Sequence, residues 1–405
     1  MIKCEDKILI YEVLILNKKI IYLIVAMFFM SILANTAHPV TPELVVSLNM
    51  SSLMYGIMFA TMSIASFTMS PIWGSLSDKY RSRKLFIYLP SIGYGLAQIG
   101  FGFSTSPVLI LIFRILGGGF VASIFTNAIA YIVDETDHTN RSKAIAYYTA
   151  ITGFGVALGY LVGGYIGVND YHHAFIFQSL GLIIHAIIVY FLLPESNVKI
   201  EDVKTSKNFI FQIKDDFKKY MPTALGTLLL VVFFTSFSFI AYSTGINYFL
   251  KKYLNLNPLQ IGYYMALTGI IGMIANVYLT PRISKKYGDK KSLKYVLLVT
   301  GITLIILSMI DKLLSPISII VFLIFVFFIS MFKPLLQTMV SNLSKNEHGK
   351  IMGLQNSANS VGMVGGSLFA GTLLDIYPKM PFIMAAIIFI VSYLIILFSN
   401  KLKKI

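Results

Sequence analysis

The chain has 405 residues, of which 56% are hydrophobic and only 13% are charged. A soluble protein of this length carries roughly twice that charged fraction, so the composition excludes an ordinary water-soluble globular protein. The net charge of +15 does not indicate nucleic-acid binding, because the basic residues lie in short loops between apolar runs. The single cysteine, Cys4, excludes an internal disulfide and a thiolate metal cluster.

Apolar runs of about 20 residues follow one another along the chain, which is the length that crosses a hydrocarbon core of roughly 30 Å. Only a helix satisfies its own backbone polar groups within one such segment. We therefore predict an all-α integral membrane protein with twelve transmembrane helices. The predicted spans are 20–39, 52–75, 85–104, 107–132, 144–167 and 173–193 in the first half, and 222–248, 258–281, 293–311, 315–341, 350–374 and 381–400 in the second.

The basic residues orient these spans. With a cytosolic N-terminus, the inner loops and tails hold 27 of the 33 Lys and Arg residues, whereas the outer loops hold four. Because cytosolic loops carry the excess of basic residues, both termini are predicted to be cytosolic. Richness in Ile, Lys and Asn is typical of a bacterium of low genomic GC content, so the expected location is the cell membrane (the bacterial inner or plasma membrane). The outer-loop residues are Lys251, Lys252, Lys312 and Lys379, and two basic residues, Arg114 and Lys333, fall inside spans.

The longest polar stretch, 194–221, lies midway along the chain on the predicted cytosolic side. Phe209, Ile213, Phe217 and Tyr220 recur at helical spacing between lysines, which favours a helix lying in the anionic headgroup layer; a flexible linker is the alternative. The predicted divisions of the chain are a cytosolic N-terminal segment 1–19, a six-helix bundle 20–193, a central cytosolic loop 194–221, a second six-helix bundle 222–400 and a cytosolic tail 401–405.

The second half repeats the first with a shift of 207 residues. Arg141–Ile166 aligns with His348–Leu373 without a gap, and the same shift aligns the basic loop 78–84 with 285–291. Six spans per half preserve orientation, which predicts two bundles related by a parallel pseudo-twofold axis along the membrane normal. Such repeats place a substrate path between the halves near the midplane, an arrangement that suits alternating access.

The loop after the second span reads GSLSDKYRSRK from Gly74 to Lys84. It resembles the loop signature of the major facilitator superfamily, a glycine followed four residues later by aspartate and then by a basic cluster, although Arg81 stands where glycine is usual. The resemblance implies that Gly74, Asp78, Arg83 and Lys84 form a conformational latch, in which Asp78 caps or pairs across the inner ends of helices in the outward-open state. The alternative is positive-inside charge with one neutralising acid.

Two further stretches are similar to motifs of the drug-efflux branch of that family, the twelve-span drug:proton antiporters. Arg114, followed by three glycines in span 4, resembles an arginine near the proton path of those transporters; snorkelling to the outer surface is the alternative. The glycines of span 5 resemble an antiporter pattern, but Tyr160 stands where proline is expected. They equally suit close helix packing, as small residues four apart do. These glycines are Gly155, Gly159, Gly163 and Gly164.

The resemblance implies that spans 1, 4, 7 and 10 line the cavity, with spans 2, 5, 8 and 11 beside them. Polar residues on these spans are therefore candidates for the substrate or proton path, although most of them can equally hydrogen-bond a neighbouring helix. The candidates are Asn35, His38, Arg114, Asn127, Tyr242, Asn247, Lys333, Gln337, Gln355 and Asn359.

The acidic residues predict the charge of the substrate. All 18 Asp and Glu residues fall in loops or at the ends of predicted spans, including Glu43. A cavity that holds Lys333 and Arg114 without a mid-span acid favours an anionic or zwitterionic substrate, because an unpaired charge is costly in the membrane. Lys333 lies about 8 residues, roughly 12 Å, from the cytosolic end of its span, so snorkelling to that surface is the alternative.

We predict a secondary active transporter that moves a small organic solute by alternating access, through proton-coupled efflux of the multidrug type or metabolite export. The proton gradient is the expected energy source, with no cofactor or metal and with His38, Asp78 or Asp134 as proton carriers. Proton-coupled uptake or export of one specific anionic or zwitterionic metabolite is the alternative. A membrane enzyme is a remote alternative, because it needs catalytic or metal-binding groups gathered at one membrane face. His172 and His173 beside Asp170 could bind a metal ion, but the sequence shows no third metal ligand nearby. The expected partners are a small-molecule substrate and the lipid bilayer, without nucleic acid. The protein is expected to be a monomer.

Overall fold

A computed structural model describes residues 17–196, 217–310, 315–343 and 348–402. Within these ranges every regular element is helical, as the sequence predicts, and most of the predicted surface helix within 194–221 lies outside them. The helices of the first half are α1 Lys18–Thr36, α2 Thr41–Ser47, α3 Ser52–Tyr80, α4 Leu85–Gly102, α5 Pro107–Asp134, α6 His138–Ile166 and α7 Tyr171–Leu192. Those of the second half are α8 Ala224–Lys252, α9 Pro258–Ile274, α10 Thr280–Tyr287, α11 Asp289–Met309, α12 Pro316–Asn342, α13 His348–Ile376 and α14 Met380–Phe398, with a π-helical turn at Ala275–Leu279 and a 3₁₀ turn at Asn400–Leu402.

Local sequence explains where several helices begin. Ser106, Thr223 and Ser315 precede α5, α8 and α12, and each side-chain hydroxyl accepts a hydrogen bond from the backbone N–H three residues later. Such hydroxyls satisfy one of the free N–H groups of the first helical turn. Pro107 and Pro316 occupy the first helical position, where the missing N–H has no cost.

The first span consists of two helices: Pro39 removes a backbone donor between α1 and α2, and Pro42, the second residue of α2, removes another. Together the two helices form one apolar segment, Lys18–Ser47. This segment is longer than the predicted span 20–39. Glu43, expected beyond the end of the span, therefore lies in α2, and its Oε2 atom is buried.

Eleven segments of the described chain are long and apolar enough to cross a membrane, by length and composition. The remaining predicted span corresponds to α13, a helix of 29 residues whose Asn, Gln and Ser side chains lower its hydropathy. Each of the twelve predicted spans thus coincides with one long helix or helix pair.

The helices form two compact units. In unit 1, α1 packs against α6 and α7, while α4 packs against α5 and α7. In unit 2, α8 packs against α13 and α14, while α11 packs against α12 and α14. Each pairing of unit 1 recurs in unit 2 six spans later, as the internal repeat requires. Unit 1 lies within Met1–Leu48, Ile64–Val203 and Leu256–Gly269, and unit 2 within Asn49–Ser63, Lys204–Asn255 and Ile270–Ile405.

Two close glycine contacts, one in each unit, correspond to each other in the repeat to within one residue. In unit 1, a Cβ atom added to Gly164 of α6 would lie 2.7 Å from the Pro258 carbonyl oxygen and 3.1 Å from the Cα atom of Gly262 in α9. In unit 2, a Cβ atom added to Gly371 of α13 would lie 3.2 Å from the Cα atom of Gly56 in α3. Because consecutive spans alternate in direction, Gly164 and Gly262 lie at the helix ends opposite the start of α1, and Gly56 and Gly371 at the helix ends opposite the start of α8. We name Gly56, Gly164, Gly262 and Gly371 the distal glycines.

Aromatic contacts support the distal contact of unit 2. The rings of Tyr55 in α3 and Tyr248 in α8 lie 5.0 Å apart, and the Tyr248 hydroxyl donates to the Met50 carbonyl oxygen at 3.3 Å. Both tyrosines are fully buried. The first turn of α3 is therefore held on α8 and α13 by ring packing and by the glycine contact together.

Candidate functional site

Arg83 lies at the centre of a polar cluster at the ends of the unit 1 helices, on the side where α1 begins. Its Nε donates to Asp134 Oδ2 at 2.9 Å, and its Nη1 donates to the Ser77 hydroxyl and contacts Asp78. The side chains of Arg83 and Asp134 are 7% and 6% exposed. Burial opposes the charged form of Arg83, but hydrogen bonds and charge from Asp134 and Asp78 outweigh it and raise the pKa of Arg83.

Glu195, which sequence analysis missed, binds the start of α4. Its Oε1 accepts the backbone N–H groups of Arg83 at 2.9 Å, Lys84 at 3.2 Å and Ser196 at 3.1 Å. Its Oε2 accepts the Ser82 hydroxyl at 2.5 Å. The first N–H groups of a helix lack partners within the helix and attract negative charge. An isolated acid at the end of span 6 was the only signal in the sequence.

The four predicted latch residues lie in and beside this cluster. Asp78, near the end of α3, contacts Arg83 just beyond that helix, and the Lys84 ammonium lies 5.5 Å from the centroid of the Tyr190 ring. A methyl group on Gly74 would meet only a side-chain methyl of α5 at 3.8 Å, so glycine is not sterically required there in this conformation. A latch across the inner helix ends stays a prediction.

Replacing Glu195 by glutamine is expected to lower the free energy of unfolding by about 1 kcal/mol, because the α4 N-terminus loses its negative charge. Thermal unfolding of the purified protein in detergent measures the change. Asp137→Asn is the matched control, since exposed Asp137 precedes α6 without a side-chain cap hydrogen bond. Equal unfolding temperatures for the two variants would contradict the role given to Glu195.

Arg114 lies in the interior of unit 1 and not at a surface. Arg114 is only 4% exposed, and its guanidinium carbon lies 3.8 Å from the centroid of the Phe101 ring, which is a cation–π contact. The His38 ring centroid lies 5.9 Å from that of Tyr160. The predicted candidates Arg114 and His38 therefore both lie in unit 1.

A chain of buried amides lies in the same unit. Gln98 of α4 donates from Nε2 to the Tyr94 hydroxyl and to Gln178 Oε1 of α7, both at 3.1 Å. Gln178 donates in turn to the Ala34 carbonyl oxygen of α1 at 3.3 Å. The sequence analysis missed both glutamines because it considered only the spans expected to line a cavity, whereas these lie on spans 3 and 6.

The other unit 1 candidates bond within their own helices. Asn35 donates to the Ser31 carbonyl oxygen at 2.8 Å, and Asn127 donates to the Ser123 carbonyl oxygen at 2.9 Å. Asn127 lies 13 residues from Arg114 along α5, roughly 20 Å, so it does not join the Arg114 group. Its buried Oδ1 has no hydrogen-bond partner in the described part of the chain.

The span 5 glycines lie where α6 approaches other helices closely. A Cβ atom on Gly155, Gly159 or Gly163 would lie 2.7 Å or less from a backbone carbonyl oxygen of α1, and Gly164 meets α9. Any larger residue at these positions would push the helices apart. Glycine therefore permits the close packing of α6 in this conformation.

Two candidates on α8 are buried in unit 2. Tyr242 is 9% exposed, and its ring centroid lies 4.8 Å from that of Phe325 and 6.2 Å from that of Phe382. Asn247 is 8% exposed. In this conformation Tyr242 belongs to the aromatic core between α8, α12 and α14.

Two candidates on α13 differ from each other. Asn359 accepts the Ser236 hydroxyl of α8 at 2.7 Å, which is a bond between neighbouring helices. Gln355 is partly buried, and its Oε1 has no hydrogen-bond partner among the described residues.

Lys333 lies on the exposed face of α12, within a stretch apolar enough to span a membrane. Gln337, one turn further, is also exposed, whereas Leu335 and Met339 are buried on the opposite face. In the part of the chain that the structure describes, the Lys333 ammonium has no hydrogen bond or ion pair. The structure thus groups Lys333 with Gln337 on one helix face.

These features define a multi-pass helical membrane protein of two repeat-related halves, with charged side chains inside its spans and charge clusters at its helix ends. The sequence profile of the Major Facilitator Superfamily matches residues 23–367. The chain therefore belongs to the Major Facilitator Superfamily, which is a family of transporters.

The chain is similar to known members along nearly its whole length. Multidrug resistance protein 2 of Bacillus subtilis (strain 168) is 26% identical over 359 residues, which cover 87% of this chain and 88% of that protein. The quinolone resistance protein NorA of Staphylococcus aureus (strain MRSA252) is 24% identical over 394 residues, covering 95% and 97%. The crystal structure of a bacterial homolog of the human lysosomal transporter Spinster superposes with a TM-score of 0.74 at 14% identity, covering 94% of this chain and 96% of that one, and so shares its fold.

Proposed function

We propose that this transporter is a proton-coupled exporter of small organic solutes whose anionic or zwitterionic group binds at Lys333. The observation that carries the proposal is Lys333, an exposed residue inside a membrane span, whose ammonium has no hydrogen bond or ion pair among the described residues. An isolated charge in a span is costly and is commonly part of a substrate or ion pathway. A substrate anion supplies the missing partner.

The carboxylates described in the helices of unit 2 have other positions and contacts. Asp289 begins α11 and accepts the Ser284 hydroxyl. Asp375 lies near the end of α13, 4.0 Å from the ammonium of Lys252. Both acids lie at helix ends, whereas Lys333 lies well inside α12. This distribution supports an anion from solution over an internal counter-ion.

Efflux driven by protons is proposed because the relatives are named for multidrug and quinolone resistance. His38 and the carboxylates of Asp78 and Asp134 are the groups proposed to bind the coupling proton. The proposed location is the bacterial cell membrane with both termini in the cytosol, which follows from the distribution of Lys and Arg.

Proton flux in everted membrane vesicles tests the proposal. Energised vesicles carrying the protein are expected to lose their pH gradient on addition of 2-naphthalenesulfonate, whose permanent charge prevents passive proton transport, but not on addition of a permanent cation such as ethidium. Lys333→Gln is expected to raise the half-maximal concentration of the anion roughly 10- to 150-fold, because a hydrogen-bonded charge pair is lost.

Matched variants separate charge from structure. Lys333→Arg keeps the charge and should keep the response, and Lys379→Gln, at the start of α14, should leave it unchanged. A response to ethidium alone, or an unchanged response in Lys333→Gln, would overturn the proposed substrate class. If no compound dissipates the gradient, uptake becomes the better hypothesis, and anion counterflow into proteoliposomes then decides it.

A further inference from the structure

Phe239 is an exposed aromatic side chain on a helix that is otherwise well covered. It lies near the middle of α8 and is 38% exposed, more than any other large apolar residue of that helix. On α8, Phe237 faces α13, with its ring 5.2 Å from that of Phe369. Tyr242 faces α12 and α14. Phe239 is turned about 200° from Phe237, so it points away from α13 and toward α12.

The same geometry places Lys333 at the level of Phe239, on the neighbouring helix. The Phe239 ring centroid lies 5.9 Å from that of Phe332, the residue before Lys333, so the two lie at the same level. On α12, Lys333 projects between Phe332, which faces α8, and Ser330, whose hydroxyl would lie 2.8 Å from a Cβ atom on Gly272 of α9. Helix α11 packs against α12 from the face that carries the buried residues. Lys333 and Phe239 therefore open on the same side of unit 2.

We infer that the substrate is an aromatic anion, with its charged group at Lys333 and its ring on Phe239. This inference rests on the proposed function, because it takes Lys333 as the anion site. An exposed phenyl ring at the level of an ammonium on the neighbouring helix matches the two features of such a molecule, a flat apolar face and a negative group. Gln337, one turn from Lys333 on the same face, adds a neutral hydrogen-bonding group for a second substituent.

An aromatic ring is preferred over a saturated ring of the same size for a physical reason. Two aromatic rings attract each other through offset or edge-to-face packing beyond the gain from apolar burial alone. The gain corresponds to roughly a 2- to 12-fold difference in Kd. A saturated ring keeps the apolar burial and loses the ring-to-ring interaction.

Titration calorimetry on the full-length protein in lipid nanodiscs tests this inference with three probes. These are 2-naphthoate, its saturated analogue decahydro-2-naphthoate, and the neutral 2-naphthamide. The wild-type protein is expected to bind 2-naphthoate roughly 2- to 12-fold more tightly than the saturated analogue. Phe239→Leu should bring this ratio close to one, and Phe239→Tyr, which keeps the ring, should retain it.

The comparison with the saturated analogue tests the aromatic inference, and the comparison with the neutral amide tests the proposed function. If the wild-type protein binds decahydro-2-naphthoate as tightly as 2-naphthoate, or if Phe239→Leu keeps the ratio, the aromatic inference is wrong and the anion site stands. If 2-naphthamide binds as tightly as 2-naphthoate, the proposed function is wrong. Lys333→Gln is expected to remove the preference for naphthoate over naphthamide while leaving the preference for the aromatic ring.

Discussion

Replacing Gly371 by alanine is expected to reduce the transport rate by about tenfold or more while the protein remains folded. The added Cβ atom would lie 2.7 Å from the Ser52 carbonyl oxygen and 3.0 Å from the Leu53 Cα atom, which are backbone atoms of α3. Overpacking of this kind costs roughly 1–3 kcal/mol, which shifts a two-state equilibrium 5- to 150-fold. In an alternating-access transporter the substitution disfavours the state in which these distal ends are in contact.

Gly164→Ala is expected to act in the same way in unit 1, since its Cβ atom would lie 2.7 Å from the Pro258 carbonyl oxygen. The chain offers a control on each helix. Gly353 on α13 and Gly153 on α6 have nothing within 4 Å of an added Cβ atom, so alanine there changes helix propensity without the clash. Both control variants should transport at the wild-type rate.

Distance measurements between two spin labels by electron paramagnetic resonance test whether Gly371→Ala separates these helix ends. With Cys4 replaced by serine, spin labels at Ser51→Cys and Tyr377→Cys report the separation of the distal ends of α3 and α13 within unit 2; both positions are exposed. Gly371→Ala should shift the population toward longer distances, and Gly353→Ala should not. A Gly371→Ala variant with the wild-type rate and distance distribution would show that these helices never need to approach so closely during transport.

Replacing Asp134 by asparagine is expected to lower the free energy of unfolding by about 3 kcal/mol. Arg83 and Asp134 form a buried pair, and removal of one partner leaves the other charge buried without full compensation. Because the partners raise the pKa of Arg83, its stabilising contribution is present below its unfolded pKa and is lost only as the pH rises through the folded value. The effect of Asp134→Asn should therefore not change as the pH is raised from 7 to 9.

Asp78→Asn is the matched control for this pair. The Asp78 side chain is 56% exposed, so its ion pair with the same guanidinium is screened by solvent and worth roughly 0–1 kcal/mol. Unfolding in mixed micelles can be followed by fluorescence of the only tryptophan, Trp73, which donates to the Gly119 carbonyl oxygen of α5. Equal losses of stability for Asp78→Asn and Asp134→Asn would contradict the dominance of the buried pair.

The sequence by itself determined the membrane class, the twelve spans, the repeat and the family. Each of these depends on composition, periodicity or a local motif, which are properties of neighbouring residues along the chain. The interior position of Arg114 was also predictable, because a guanidinium in a span is costly against lipid. The main error in the spans was the end of the first one, where prolines separate two helices that together continue to Ser47.

Only the tertiary structure decided which helix faces which. Glu195 gained its role from loop folding that brings it to the start of α4, more than 100 residues earlier in the chain. Gln98 and Gln178 are paired because α4 and α7 pack together. The candidate Tyr242 packs in an aromatic core in this conformation, whereas Phe239, three residues earlier, is exposed. A polar or aromatic residue on a hydrophobic helix has no amphipathic pattern to indicate its direction, so its partner is set by helix rotation and packing, which no local sequence signal specifies.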